Sequence, residues 1–398
     1  MTLKIAFYGQ PLLSNNKTGI GYCEDGLLRG LLTLHPQQEY LVDIFTSGEK
    51  EKKRQSIRDY GETVRISECG WISERVFKLL SLVVELPYIW FFREKRDITH
   101  FCNYVIPLGV RGKKVVTVHD LAFREFPETV RGRTMVMLKR NLKRSLRRAD
   151  AIVTVSEFTK KELMKYYDIA SEKIAVVPNG VDTAQYHLNY SSEQIQGAKK
   201  KYSIEGSYFL YLGTLEPRKN LRGLLLAYKK FYEERKDTGK EIPKLVLAGG
   251  KGWMYDEIFQ TAEEISLKDH VIFTGYVDEQ DKAPLMCGAS VFCFPSFYEG
   301  FGMPPLEAMA CGTPVLTSNN SSLKEVTGDA AIQVDPYDLD QMAQKMAELC
   351  DNNDLGQQLR ERGIKQAEKY SWANAVEKLW EVYQRVAGEP VYEERTRE

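Results

Sequence analysis

Short apolar runs alternate with amphipathic stretches twice along this chain, and that alternation restricts the fold more than any other feature. In the first half, strand-like runs at 3–7, 40–45, 98–101, 115–118 and 151–155 are separated by helix-like runs at 22–34, 75–90, 134–148 and 160–167. A further strand-like run from Ile174 is closed by the turn Pro178-Asn179-Gly180. The polar stretch 187–197 then reads as a linker. Alternation resumes at Tyr208, with strand-like runs at 208–212, 244–248, 271–274, 290–295, 314–318 and 331–334. Parallel strands need a long crossover, usually a helix, so this order predicts an α/β fold with parallel sheets covered on both faces. At 398 residues the chain is too long for one core. The expected domains are 1–183 and 184–370, followed by an amphipathic helix and polar tail over 371–398. Two such domains facing each other leave a cleft, a usual place for a ligand.

Bulk properties narrow the function. Hydrophobic residues make up 43% and charged residues 28%, a globular composition. The formal net charge is zero, and no wide basic field or known module appears, so no nucleic-acid partner is expected. The seven cysteines are scattered without C-x-x-C pairs. The start reads as a first strand rather than a signal peptide, so reduced thiols and a cytoplasmic location are expected. The apolar stretch 76–92 is interrupted by Lys78, Glu85 and Pro87. It is short of a membrane span and reads as a buried helix. The stretch 131–148 carries eight Lys and Arg and no acid, with Met135, Leu138, Leu142 and Leu146 interleaved. Two readings stand open: contact with an anionic membrane surface, or a helix with one packed and one solvated face.

The chemistry concentrates at strand ends. Residues 296–312, SFYEGFGMPPLEAMACG, lie between two strand-like runs. Glycines and a Pro-Pro pair predict a loop and then a helix start, with Glu299 in the loop and Glu307 in the first helical turn. Helix N-termini favour anions, and open α/β sheets bind ligands at the carboxyl ends of their strands. Diphosphate for the amides and hydroxyls for the carboxylates describe a nucleotide sugar. Gly213 ends a strand, and Asn220 reads as the N-cap of the next helix. Arg218 and Lys219 therefore stand just ahead of a helix N-terminus, where two cations suit a diphosphate leaving group without a metal. His119 follows the run 115–118, although a lone histidine is more often structural. Gly19 and Gly21 give a flexible turn or a close backbone approach to a ligand. Gly249 follows the run 244–248, and Tyr276 and Val277 follow 271–274. Asp338-Leu339-Asp340 matches a D-x-D pattern, but it precedes a helical run and reads as a helix cap. No metal is expected, and no spaced His/Cys cluster appears.

The string around Glu299 and Glu307 resembles the E-x7-E signature of retaining, two-domain (GT-B) glycosyltransferases of family 4. The Arg218-Lys219 pair resembles that family's phosphate pair, and His119 to Glu128 is similar to the H-D-L segment of its mannosyltransferase-like members. The resemblance implies two Rossmann-like domains with a C-terminal helix returning to the first. It implies a nucleoside-diphosphate sugar as co-substrate, with no cofactor: GDP-mannose favoured, a UDP-sugar next. The implied acceptor is a glycan or lipid-linked glycan, and the implied place is the cytoplasm, at the inner face of the membrane if 131–148 touches it. Donor contacts are implied at Glu299, Gly300, Phe301, Gly302, Met303, Leu306 and Glu307. Further contacts fall at Gly19, Gly21, Arg218, Lys219, Gly249, Tyr276 and Val277. His119 meets the transferred sugar, and Glu299 meets its hydroxyls or acts as nucleophile. A sugar-nucleotide epimerase on the same fold and a non-catalytic nucleotide-sugar-binding protein are the alternatives.

Overall fold

A computed structural model describes residues 2–13, 19–84, 86–130 and 132–388. The chain divides into two compact units: Met1–Gly180 with the segment that begins at Trp372, and Val181–Ser371.

Unit 1 is built on β1 (Lys4–Tyr8), β2 (Glu39–Phe45), β3 (Val64–Cys69), β4 (Ile98–Phe101), β5 (Lys113–Val118), β6 (Ala151–Thr154) and β7 (Ile174–Val176). They form one parallel sheet in the order β3-β2-β1-β4-β5-β6-β7. Apolar cores lie on both faces, one including Ile5, Val42 and Val115, the other Phe45, Val116 and Ile152. The C-terminal helix Trp372–Ala387 packs in the first of these cores through Val376, Leu379 and Tyr383. Its partner is the helix Gly19–Leu34. A Cβ on Gly26 would fall 2.3 Å from the Trp372 ring, and one on Gly30 would fall 2.5 Å from Val376, so only glycine admits this approach. The buried His100 ring ties helix to sheet, 2.7 Å from the Tyr383 hydroxyl and 2.8 Å from Thr117 Oγ1.

Unit 2 has β8 (Tyr208–Leu212), β9 (Lys244–Ala248), β10 (Val271–Gly275), β11 (Val291–Phe294), β12 (Val315–Ser318) and β13 (Ile332–Val334). Its parallel sheet runs β10-β9-β8-β11-β12-β13. In both sheets the strand order reverses once, between β1 and β4 and between β8 and β11. Those are the switch points where open α/β sheets take ligands.

Several expectations need correction. The stretch 187–197 is not a linker throughout: Ser192–Lys201 is a helix held by a capping box between Ser191 and Gln194. The run 76–92 is not one buried helix. Ser73 caps a helix Glu74–Val83, and a separate 3-10 turn follows at Tyr88–Trp90. Phe77 of that helix is buried, while Val76, Leu79, Leu80 and Val84 are exposed. The helix Lys50–Arg58 and strand β3 lie in a region where neither was expected. Gly19 and Gly21 sit inside the helix that starts at Gly19 rather than in a loop. Arg131 of the basic stretch and Lys17 ahead of Gly19 fall outside the described residues. All seven cysteines are free thiols. Among the described residues, no helix is long and apolar enough to cross a membrane.

Candidate functional site

The switch point of unit 2 carries the charges. After β8 the chain runs through Gly213 to a 3-10 turn, Pro217–Lys219. After β11 it runs to Glu299. Lys219 Nζ lies 2.6 Å from Glu299 Oε1, and Arg218 Nη1 lies 2.9 Å from Glu299 Oε2. The same guanidinium donates to the Tyr298 carbonyl at 2.6 Å and pairs with Glu216 at 2.8 Å. Backbone pairing reinforces this, since Phe297 N donates to the Arg218 carbonyl at 2.9 Å. Burial alone would raise the Glu299 carboxyl, but the charges of Arg218 and Lys219 outweigh it and hold it at about 2. Ser322 Oγ lies 2.8 Å from the carbonyl oxygens of both Glu299 and Phe301, which share its one proton, and it pins the loop between them. Asn220 does not cap the next helix with its side chain. It adopts left-handed backbone at φ 56°, and its amide donates to the Pro336 carbonyl.

The second acid sits apart from this cluster. The helix after the loop is Met303–Ala310, so Glu307 lies in its second turn rather than its first. The charged groups acting on it most strongly are Lys282 and Glu279, and the Tyr186 phenol hydrogen-bonds it. Burial pushes its carboxyl up to about 7. Gly302 enters the helix at φ 111°, where a Cβ would also meet Leu323 at 2.7 Å. Gly249 has φ 145°, and a Cβ there would fall 1.9 Å from the Gly213 carbonyl oxygen, so neighbouring strand ends touch through backbone alone. The side chains of Phe301, Leu306 and Val277 are buried in the protein, which leaves only their backbone to meet a ligand. Met303 is half-buried, Gly300 is buried and Tyr276 is exposed. The D-x-D carboxylates are engaged: Asp338 accepts from Gln341 N at 2.9 Å as a helix cap, and Asp340 pairs with Lys230 at 2.7 Å.

In unit 1, His119 leaves the carboxyl end of β5. Its Nε2 lies 2.7 Å from the Cys102 carbonyl, an acceptor only, which assigns the ring proton to Nε2 and leaves Nδ1 as an acceptor. Burial lowers its affinity for a second proton, so the ring is neutral. Asp120 orients the chain: its Oδ1 accepts from Ala122 N at 3.0 Å. One residue of this region gave no functional signal in the sequence. Glu24 is fully buried, its carboxyl oxygens have no hydrogen-bond partner among the described residues, and burial raises it well above the usual carboxylate range.

Comparison with known proteins places the chain. Residues 28–185 match Glycosyltransferase Family 4, and residues 194–369 match Glycosyl transferases group 1. O-antigen chain mannosyltransferase B of Escherichia coli is 34% identical over 296 residues, which is 74% of this chain and 76% of that protein. The chain is a group 1 glycosyltransferase of family 4. Its sequence is mannosyltransferase-like. The serotype-specific mannosyltransferase WbdA of Escherichia coli is also 34% identical, over 57% of this chain and 28% of that longer protein. Among solved structures, sucrose-phosphate synthase from Thermosynechococcus elongatus superposes with a TM-score of 0.75 at 18% identity, over 97% of this chain and 99% of that one. Anabaena HepE in complex with UDP-glucose gives 0.70 at 16% identity, over 96% and 100%. These likenesses establish the GT-B fold of the glycosyltransferase.

Proposed function

We propose that this enzyme moves a hexose from a nucleoside-diphosphate sugar, with GDP-mannose favoured over a UDP-sugar, to a glycan or lipid-linked glycan. The anomeric configuration is retained and no metal takes part. The observation that carries this reading is the convergence of Arg218 and Lys219 on Glu299 at the switch point of unit 2. Without ligand, the two cations neutralise the carboxylate. An arriving diphosphate offers them a better partner, since Arg and Lys bind phosphate through charge-assisted hydrogen bonds. Glu299 is then released, still ionised, to accept from hydroxyls of the transferred sugar. Charge builds on the diphosphate as the glycosidic bond breaks, and cations placed there stabilise the transition state more than the ground state. Those two charges are the support for metal independence.

Glu307 accepts from the ribose hydroxyls, and the backbone at Gly300, Gly302, Met303 and Val277 lines the donor. His119, a neutral ring, is assigned to the transferred sugar. The resemblance of its E-x7-E string supports retention, and the mannosyltransferase relatives support the donor. The helix Gly132–Arg148 buries Leu138, Leu142 and Leu146 and turns lysines and arginines outward. That cationic face supports contact with the anionic inner surface of a membrane from the cytoplasm. The deciding experiment is a thermal-shift panel of GDP-, UDP- and ADP-sugars followed by transfer assays with the donor that stabilises, because binding to the native state alone raises the melting temperature. Product of inverted configuration by NMR, or no stabilisation by any nucleotide sugar, refutes the reading.

A further inference from the structure

Two thiols meet beside the second acid. Five of the seven cysteines are buried, and only Cys287 and Cys350 reach the surface in part. Cys287 ends the helix Glu279–Cys287, and Cys311 follows the helix Met303–Ala310. The two helices pack together. Thr313 Oγ1 donates to the Met286 carbonyl at 2.6 Å, which holds the two chain segments side by side at the cysteines. Cys287 Sγ donates to the His187 carbonyl at 3.3 Å. The Cys311 sulfur accepts from the backbone of that same residue, and the two thiols hydrogen-bond each other.

Their chemistry differs. Contact with Cys311 and the charge of Arg360 outweigh burial and hold the Cys287 thiol below its usual range. Arg360 comes close because Gly312 has no side chain: a Cβ there would fall 3.2 Å from its Nε. Cys311 is pushed the other way, by the same contact and by burial. The thiolate is the reactive form of cysteine. A part-exposed thiol of lowered pKa, with a second thiol beside it, is the arrangement that reacts with peroxides and closes to a disulfide.

Position gives the pair a consequence. Cys311 stands one turn beyond Glu307, and its N–H donates to the Glu307 carbonyl at 3.0 Å. The helix that ends in Cys287 carries Lys282 and Glu279, the charged groups acting most on Glu307. Tyr186, which hydrogen-bonds Glu307, precedes His187, whose carbonyl takes the Cys287 proton. Three segments around Glu307 are thus joined at the thiols. Removing the Cys287 proton breaks the bond to His187 and loosens the segment that carries Tyr186.

We propose that Cys287 and Cys311 are a redox-active pair whose disulfide weakens nucleotide binding at Glu307. The step is a two-electron oxidation by a peroxide. The Cys287 thiolate attacks one oxygen of hydrogen peroxide and breaks the O–O bond, giving a sulfenic acid. The displaced hydroxide takes up the proton that Cys287 released and leaves as water. The Cys311 sulfur then attacks the Cys287 sulfur, and the hydroxyl departs with the Cys311 proton as a second water. The effect on binding rests on the reading of Glu307 as a donor contact, whereas the disulfide itself does not.

The test treats the full chain with a small molar excess of hydrogen peroxide and maps the cysteines by mass spectrometry of unreduced peptides. The expected product is a linked Cys287–Cys311 peptide that dithiothreitol removes. Titration calorimetry with GDP and with UDP should show binding weakened by about fivefold or more in the oxidised protein, the lower end of ordinary coupling between sites, and restored on reduction. Cys287→Ser and Cys311→Ala should keep the affinity of reduced wild type and lose its sensitivity to peroxide. Melting curves check that each variant folds, and if one does not, the other decides. Absence of the linked peptide, or a different pairing, overturns the proposal. So does unchanged affinity in the linked protein, or peroxide sensitivity that survives in a folded variant. If the reduced protein binds neither nucleotide, the donor reading fails by itself, and the linked peptide still decides whether the pair is redox-active.

Discussion

Replacing Glu299 by Gln should loosen the unliganded protein and tighten its grip on a nucleoside diphosphate. The carboxyl titrates at about 2, against about 4.3 for a free glutamate, and each pH unit is worth about 1.4 kcal/mol, so its ionised form contributes about 3 kcal/mol to the fold. Exposure of only 7% leaves little solvent to screen the pairing. The sign follows from a depressed acid: the contribution is complete above about pH 4.3 and disappears as pH falls through 2. At pH 7 Glu299→Gln therefore removes all of it and leaves Arg218 and Lys219 side by side without their shared anion. For a unit of roughly 190 residues, about 3 kcal/mol corresponds to a fall of about 6–12 °C in its melting transition. A bound diphosphate restores the missing negative charge. Scanning calorimetry with and without GDP or UDP should therefore show a larger ligand-induced rise in the variant than in wild type. Sugar transfer should fall at the same time, because no carboxylate remains to receive the sugar. An unchanged melting transition, or an equal rise in both proteins, would show that carboxylate and diphosphate do not compete for the same two cations.

Other substitutions separate chemistry from architecture. Lys219→Ala should lower kcat by about 10²–10³, the usual loss on removing one charge-stabilising donor; steady-state turnover within a few-fold of wild type contradicts the phosphate assignment. His119→Ala should lower transfer by about 10² or more while the donor-induced thermal shift survives, and equal loss of both would make the ring structural. Because the Glu307 carboxyl titrates at about 7, donor affinity should rise between pH 6 and pH 8 as it ionises. Titration calorimetry should find Glu307→Gln flat over that range. Asp338→Ala should cost about 1 kcal/mol in chemical denaturation through the lost cap, with transfer unaffected by the substitution or by EDTA.

Central strands were the most readable part of this sequence. Strands of parallel sheets are buried on both faces and appear as continuous apolar runs, as at Tyr208–Leu212 and Val291–Phe294. The edge strand β3 reads Val-Arg-Ile-Ser-Glu-Cys, pairs only with β2 and lacks such a run, so its sequence carries no strand signal of that kind. The helix Ser192–Lys201 was hidden in polar sequence even though Ser191 and Gln194 form a capping box there. Loop chemistry placed Arg218, Lys219 and Glu299 at one sheet edge. Their mutual contacts span about eighty positions and follow only from strand order. Periodicity reveals that the helix Glu74–Val83 has an apolar stripe, but the direction it faces depends on neighbours distant in sequence. That Glu24 has no hydrogen-bond partner among the described residues is likewise a matter of packing that no local pattern encodes.

The two acids of the E-x7-E string show why spacing alone does not assign roles. They are the same residue type on one loop-helix segment, yet surroundings drive them in opposite directions. Two cations hold Glu299 ionised down to about pH 2, whereas burial raises Glu307 to about 7. A group that is permanently charged and already paired can act only by exchanging partners, so Glu299 becomes available when something else occupies Arg218 and Lys219. A group that titrates near pH 7 changes its hydrogen-bonding capacity with pH, so Glu307 adjusts donor affinity without altering the charge at the diphosphate. The two effects are separable by experiment. A pH-dependent affinity that persists in Glu299→Gln and vanishes in Glu307→Gln would assign the titration to the helix, and the reverse pattern would return it to the loop.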